Sequence, residues 1–315
     1  MTRFVVRRLA LVIPVLLLVS VGVFSLVYLT PGDPVTAILG PDQGDPEVVA
    51  SLRRQMDLDK PAVVQYALWL GRVVRGDLGY SYHLRESVGE VLAQRIPITF
   101  ELALISVVLS LVISFPLGIL SATRRGSWLD LLSSAASALG ASMPAFWLGV
   151  ILVLVFAVQM RVLPPYGFTR LDADPGGNLR SMILPAITLA AGYAAILSRL
   201  VRASVLDTLG EDFVRTARSK GLSGRAVILG HGLRSALLPI ITTIGLETGR
   251  LLGGAVVTET IFSLPGLGRL AVDAVTSHDL PMLQGVSLLM ATALLVSNLL
   301  ADLLYGFADP RIRYS

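Results

Sequence analysis

Two residues of opposite charge, Glu247 and Arg250, stand three apart inside one long apolar stretch, a spacing that puts them on one helical face. At the centre of a membrane helix a charge costs roughly 2.5–3.5 kcal/mol to insert, so it faces a partner or a water-filled cavity. The pair therefore either lines a polar pathway or holds two helices in register, and the spacing fits both. Asp302, one turn after Asn298, lies in another such stretch, while Glu101 and Glu259 lie near the ends of others. The three histidines (His83, His231 and His278) are far apart and cysteine is absent. Thiolate zinc sites, disulfide scaffolds and cysteine nucleophiles are excluded.

Phosphate chemistry is excluded too. A P-loop needs Gly-x4-Gly-Lys-Ser/Thr to hold phosphates on backbone amides and a lysine. The only lysines stand in Asp59-Lys60-Pro61 and Ser219-Lys220-Gly221. Gly266-Leu-Gly268 follows Pro265 and reads as a turn, since a dinucleotide fingerprint needs a strand before it and a helix after it. There is no His-Glu-x-x-His, no Gly-x-Ser-x-Gly and no pair of aspartates at mid-membrane. The sequence thus predicts no catalytic residue, no metal site, no cofactor bound by this chain and no ATP hydrolysis by the chain alone.

The elements that must position these residues are membrane spans. Charged residues are 15% of the 315 and hydrophobic ones 54%, where a soluble chain carries about 25% charge. Six stretches reach the roughly 20 apolar residues that cross a bilayer: 9–29, 98–120, 131–158, 182–200, 236–262 and 282–305. The third holds Gly140 and Pro144, so it is one kinked helix or two short pieces. The first follows Arg3, Arg7 and Arg8, but its apolar run exceeds a signal peptide's and Thr30-Pro-Gly-Asp33 is no cleavage site, which predicts a retained anchor.

Basic residues over the short loops set the orientation. With the N-terminus inside, the cytoplasmic segments hold fourteen arginines and lysines and the short outer loops four: Arg161, Arg170, Arg180 and Arg269. Both termini are predicted cytoplasmic. The basic residues flank apolar stretches and do not form one stripe interleaved with aromatics, which argues against nucleic-acid binding. The chain divides by hydropathy into a cytoplasmic N-terminus with the first span (1–29), an extracytoplasmic helical segment (30–97), and a core of five further spans (98–315) that includes the cytoplasmic loop 203–235.

In the outer segment, Pro61 opens a helical pattern, and Ser87 with Glu90 forms a capping box ahead of Val91 and Leu92. The inner loop holds two helical patterns separated by Gly221-Leu-Ser-Gly224. Gly245, Gly249 and Gly253 repeat every four residues along the fifth span. Such a stripe lets backbones approach closely, either within the chain or at a seam with a partner membrane subunit.

The inner loop, Glu211-Asp-Phe-Val-Arg-Thr-Ala-Arg-Ser-Lys-Gly-Leu222, leads on to Leu237-Leu-Pro239. It resembles the cytoplasmic coupling loop of binding-protein-dependent ABC importer permeases, and more narrowly their peptide/nickel branch. Matching strings run the whole length: Leu29-Thr-Pro-Gly-Asp-Pro34, Leu58-Asp-Lys-Pro61, Arg75-Gly-Asp-Leu-Gly-Tyr-Ser81, Met143-Pro-Ala-Phe-Trp-Leu-Gly149, Glu259-Thr-Ile-Phe-Ser-Leu-Pro-Gly-Leu-Gly268 and Asp309-Pro-Arg-Ile-Arg313. Of the wider superfamily's Glu-Ala-Ala-x-x-x-Gly, only Ala217 and Gly221 are kept here.

The resemblance implies an all-α polytopic membrane protein of the type I ABC importer permease fold, with six transmembrane helices, in a bacterial inner membrane. It also implies a second homologous permease, two ATPase domains or subunits that bind ATP and magnesium, and an extracytoplasmic binding protein that delivers dipeptides, oligopeptides or related solutes. Glu211, Asp212, Arg215, Ala217 and Gly221 would couple to the ATPase, and the outer segment and the loop 263–268 would receive the binding protein. Glu247 and Arg250 would border the pathway. An ion-coupled secondary carrier using Glu247, Arg250 and Asp302 is the alternative mechanism. An intramembrane protease lacks its catalytic pair.

Overall fold

The computed structural model describes residues 2–29, 35, 46–220, 243, 251 and 253–308. Among them, helices α1 (Thr2–Leu29), α2 (Pro46–Gln55) and α3 (Ala62–Val74) are followed by a short hairpin, β1 (Tyr80–Ser81) and β2 (Glu86–Ser87). Then come α4 (Val88–Thr123), α5 (Trp128–Ser142), α6 (Ala145–Leu152) with a π-helical continuation Val153–Gln159, α7 (Pro175–Leu209) and α8 (Asp212–Ser219). A helical stretch at 253–261 precedes α9 (Leu267–Thr276) and α10 (Leu280–Ala308).

Four of these helices are long and apolar enough to cross a membrane: Arg8–Leu29, Val88–Thr123, Pro175–Gly210 and Leu280–Leu303. The third predicted span is two pieces whose axes differ by 105°. Its break has a local cause. Proline disfavours the helical region for the residue before it, and Met143, ahead of Pro144, is extended at ψ 123°. Most of the fifth predicted span lies outside the described residues.

Two helices outrun their apolar cores. At 36 residues, α4 is about 54 Å long at 1.5 Å per residue. It begins immediately after Ser87, so the Pro97/Ile98 boundary drawn by hydropathy falls inside it. Asp174 caps α7 by accepting from the Gly176 amide, with Pro175 in the first turn. α7 then runs nine residues past Leu200, into the segment read from sequence as loop. Pro61 sits at the N-cap of α3, and Gly266 at the N-cap of α9. The hairpin was not foreseen; it pairs Tyr80 with Ser87 and Ser81 with Glu86.

The chain forms two compact units: Met1–Val5 with Phe100–Leu264 and Leu294–Ser315, and Val6–Thr99 with Pro265–Ala293. In the first, α7 is the core, with 72% of its apolar window buried. Small residues let its neighbours in. A Cβ on Gly118 of α4 would lie 2.7 Å from the Ser198 carbonyl oxygen and from Val201, and one on Gly140 of α5 would lie 3.2 Å from Ala195. One on Gly149 of α6 would lie 3.3 Å from Thr188. Hydroxyls join the same surfaces: Ser137 and Ser198 are 2.7 Å apart and both buried.

In the second unit, Val88, Val91 and Leu92 of α4 pack with Leu267, Leu270 and Ala274 of α9 and with Met282 and Val286 of α10. Phe24, Trp69 and Tyr66 form a second cluster. Asp279 ties the hairpin to the start of α10, accepting from the Ser81 hydroxyl and, at 3.2 Å, from the Met282 amide. Asp57 receives Lys60 Nζ at 2.7 Å and Arg72 Nη1 at 3.0 Å. The Lys60 hydrogen bond foremost holds its carboxyl below an aspartate's ordinary 3.8.

Among the described glycines of this unit the closest approach is at Gly285, where a Cβ would meet Val88 Cγ1 at 2.4 Å. Val88 is fully buried and its branched side chain is stiff, so it cannot turn away. Gly285→Ala is expected to destabilise the protein by about 1–3 kcal/mol, read as a fall in thermal midpoint in detergent. Adding Val88→Ala should restore part of it.

Candidate functional site

The predicted coupling residues fall on and beside one short helix. Gly210 closes α7, donating to the carbonyls of Leu206 and Asp207. Glu211 then donates its amide to Thr208, and α8 begins at Asp212. Val214 is fully buried and packs on Leu209, the last residue of α7. That contact anchors α8 to the core helix before it.

The side chains around Val214 are open to solvent. Glu211, Asp212, Phe213 and Arg215 are exposed. Arg215 and Asp212 approach to 3.7 Å with both side chains largely in solvent, and such surface pairs contribute little stability. Ala217 lies in the last turn of α8. The arrangement is a short amphipathic helix with Val214 packed on the core helix and Glu211, Asp212 and Arg215 exposed. Gly221 lies outside the described residues, as do Glu247, Arg250, Gly245 and Gly249. Gly253 is described, and a Cβ there would meet nothing within 4 Å. Its neighbour Gly254 is the one that faces α7, at 3.0 Å from Leu189.

A buried ionic cluster near the same end of α7 was not singled out from the sequence. Arg202 of α7 donates Nε to Asp130 Oδ1 at 2.8 Å and Nη2 to Oδ2 at 3.0 Å. Asp130 also accepts from the Ser121 hydroxyl at 2.5 Å and from the Gly126 amide at 2.9 Å. One carboxylate thus joins α4, the turn after it, α5 and α7. A bidentate arginine fork fixes orientation as well as distance. The available signal was Ser127-Trp-Leu-Asp130, a helix-start pattern; Ser127 indeed caps α5, accepting from the Asp130 amide at 3.4 Å. Arg202 had counted only toward topology.

The loop 263–268 packs inward. Leu264, Gly266, Leu267 and Gly268 are buried, Arg95 donates to the Pro265 carbonyl at 3.1 Å, and the Leu267 amide donates to Thr99 at 2.8 Å. The surface it can offer a docking partner is confined to Ser263 and Pro265, which are half-buried. Glu259 just before it is fully buried. Asp302 on α10 is half-buried.

Comparison with known proteins gives a consistent picture. Residues 114–314 match the family model described as binding-protein-dependent transport system inner membrane component. Residues 1–103 match the model for the N-terminal part of such membrane components. The dipeptide transport system permease protein DppB of Escherichia coli (strain K12) is 40% identical over 337 aligned residues, covering 100% of this chain and 99% of that one. A protein of Brucella abortus (strain 2308), provisionally named a peptide transport system permease, is 40% identical over the full length of both. The MetNI methionine ABC transporter in an inward-facing conformation shares the fold at 18% identity, with a TM-score of 0.56, over 70% of this chain and 96% of that chain.

The Asp130 cluster generates a graded expectation. Asp130→Asn leaves the Arg202 charge without its counter-ion and should lower the thermal midpoint by several degrees. Arg202→Lys keeps the charge, loses the fork and should fall between the unchanged protein and Asp130→Asn, as differential scanning fluorimetry in detergent would show.

Proposed function

The chain belongs to the binding-protein-dependent transport system inner membrane components, and on that premise we propose that it is a peptide-importing permease worked by separate ATPases through α8. It is an ABC importer permease, a multi-pass protein of the inner membrane. The cargo is dipeptides or short oligopeptides. What supports that reading is identity of 40% to the dipeptide permease of Escherichia coli across the whole chain.

The chain has no phosphate-binding loop, so the work must arrive by contact. A short helix with charged residues outward and Val214 anchored on Leu209 suits a groove in a partner. Glu211, Asp212 and Arg215 would meet the groove's polar walls, while Ala217 and Gly221 would permit close approach. Two ATPase subunits holding ATP and magnesium would supply the stroke. A second, homologous permease would complete the pathway. The open face beside Gly253 supports a seam there, and Glu247 and Arg250 would border the passage. Six spans with both termini cytoplasmic agree with the distribution of arginine, and an extracytoplasmic binding protein would deliver cargo to the 30–97 segment.

Purification in mild detergent tests the assembly: a second six-span chain and ATPase subunits should accompany this one. Transport by this chain alone, driven by a proton or sodium gradient, would overturn the reading. Gly221→Trp should leave that assembly intact and ATP hydrolysis running, yet cut uptake of labelled dipeptide at least tenfold. Unchanged uptake would remove α8 and its flank from the coupling role.

A further inference from the structure

The unit formed by Val6–Thr99 and Pro265–Ala293 contains a cleft of about 440 Å³. Its wall includes Phe24 of α1, Trp69 and Arg72 of α3, Asp77, Tyr80 of the hairpin and Gln284 of α10. Most of the polar wall is already engaged. Asp57 is bonded by Lys60 and Arg72. Asp77 accepts from the Gly79 amide at 2.9 Å. Gln65, 8% exposed, uses both ends of its carboxamide: Oε1 accepts from the Tyr28 hydroxyl at 2.9 Å and Nε2 donates to the Lys60 carbonyl at 2.8 Å.

Gln284 differs from Gln65 in one respect. It is as buried, at 7% exposed, but its Nε2 has no hydrogen-bond partner among the described residues. A buried polar group without a partner is unfavourable, and native structures hold few of them. One water would occupy roughly 30 Å³, far less than this cleft. Small-molecule sites run from about 300 to 1,000 Å³, mostly apolar, with a few convergent polar groups. The cleft has that size, with a wall that mixes Phe24 and Trp69 with polar side chains.

Its charges narrow the class of occupant. Lys60 and Arg72 are both committed to Asp57, and Asp77 adds a further carboxylate to the wall. Among the described residues of the wall no cation is left to receive a carboxylate, whereas a neutral carbonyl would meet the N–H of Gln284. The unpartnered Nε2 of Gln284 is a donor, the complement of an amide carbonyl. Phe24 and Trp69, with ring centroids 5.7 Å apart, supply an apolar surface beside it.

We propose that this cleft is a binding site for a small neutral amide with an apolar flank, held by Gln284 and by the Phe24–Trp69 surface. The site is built from residues of the unit that does not contain α8 and goes beyond the transport reading, since it requires neither motor nor passage.

The probe is N-acetyl-phenylalaninamide, titrated against the full-length chain in lipid nanodiscs. Trp128→Phe and Trp147→Phe leave Trp69 as the single tryptophan reporter. Saturable change in its fluorescence is expected, with N-acetylphenylalanine, which bears a free carboxylate, binding at least tenfold more weakly. Gln284→Leu should weaken binding of the amide at least tenfold. It should not lower the thermal midpoint without probe, because it removes an unpaired polar group, and dipeptide uptake reports separately on transport. Absence of a saturable response, equal affinity for the two probes, or undiminished binding to Gln284→Leu would each overturn the site.

Discussion

Lipid tails are as apolar as leucine, so a bilayer gives apolar helices no reason to leave it for one another. Close backbone approach has to supply the attraction. In the unit built on α7 it does so at three places, Gly118, Gly140 and Gly149, each on a different neighbouring segment. Dispersion is short-ranged, and a gap of 0.5–1 Å forfeits roughly a quarter to a half of it. These glycines therefore do more than tolerate packing. Without them the helices would stand off, and the buried contacts of Val201 and Val205 with α4 would open as well.

The ionic cluster at Asp130 acts on the same helix by a different force. Glycine contacts fix how near α4 and α5 come to α7. The fork from Arg202 fixes how they are rotated about it, because two parallel hydrogen bonds have a direction. A helix held in both ways moves as a rigid piece. That matters for the transport reading, since α7 passes through Gly210 directly to α8, and Val214 packs on Leu209. Displacement of α8 would be handed to a helix already locked to its neighbours, with little slack to absorb it.

The sequence disclosed what depends on length and local chemistry. Spans are legible because about twenty apolar residues are hard to mistake, and the break at Pro144 because proline constrains Met143. Helix ends were less legible: α4 starts at Val88 and α7 runs to Leu209, since helical hydrogen bonding continues where hydropathy stops. Asp130 was missed because its role is set by Ser121 and Arg202, nine and 72 residues away. Burial of the 263–268 loop was likewise invisible, as Thr99 and Arg95 reach it across some 170 positions. Ala217 and Gly221 were singled out through resemblance alone, because a small residue carries no chemical signal of its own.

Gln65 and Gln284 show where local reading stops altogether. Both are uncharged, buried and on helices in the same cleft, and no propensity or periodicity separates them. The difference is that Gln65 has Tyr28 and Lys60 to bond, while Gln284 has neither. Satisfaction of a polar group is a property of the assembled surroundings, fixed only when α1, α3 and α10 have come together. Among the described residues, the exposed side chains beside Val214, the open space at Gly253 and the unpartnered Nε2 of Gln284 are features of that level, set by assembly and not by local sequence.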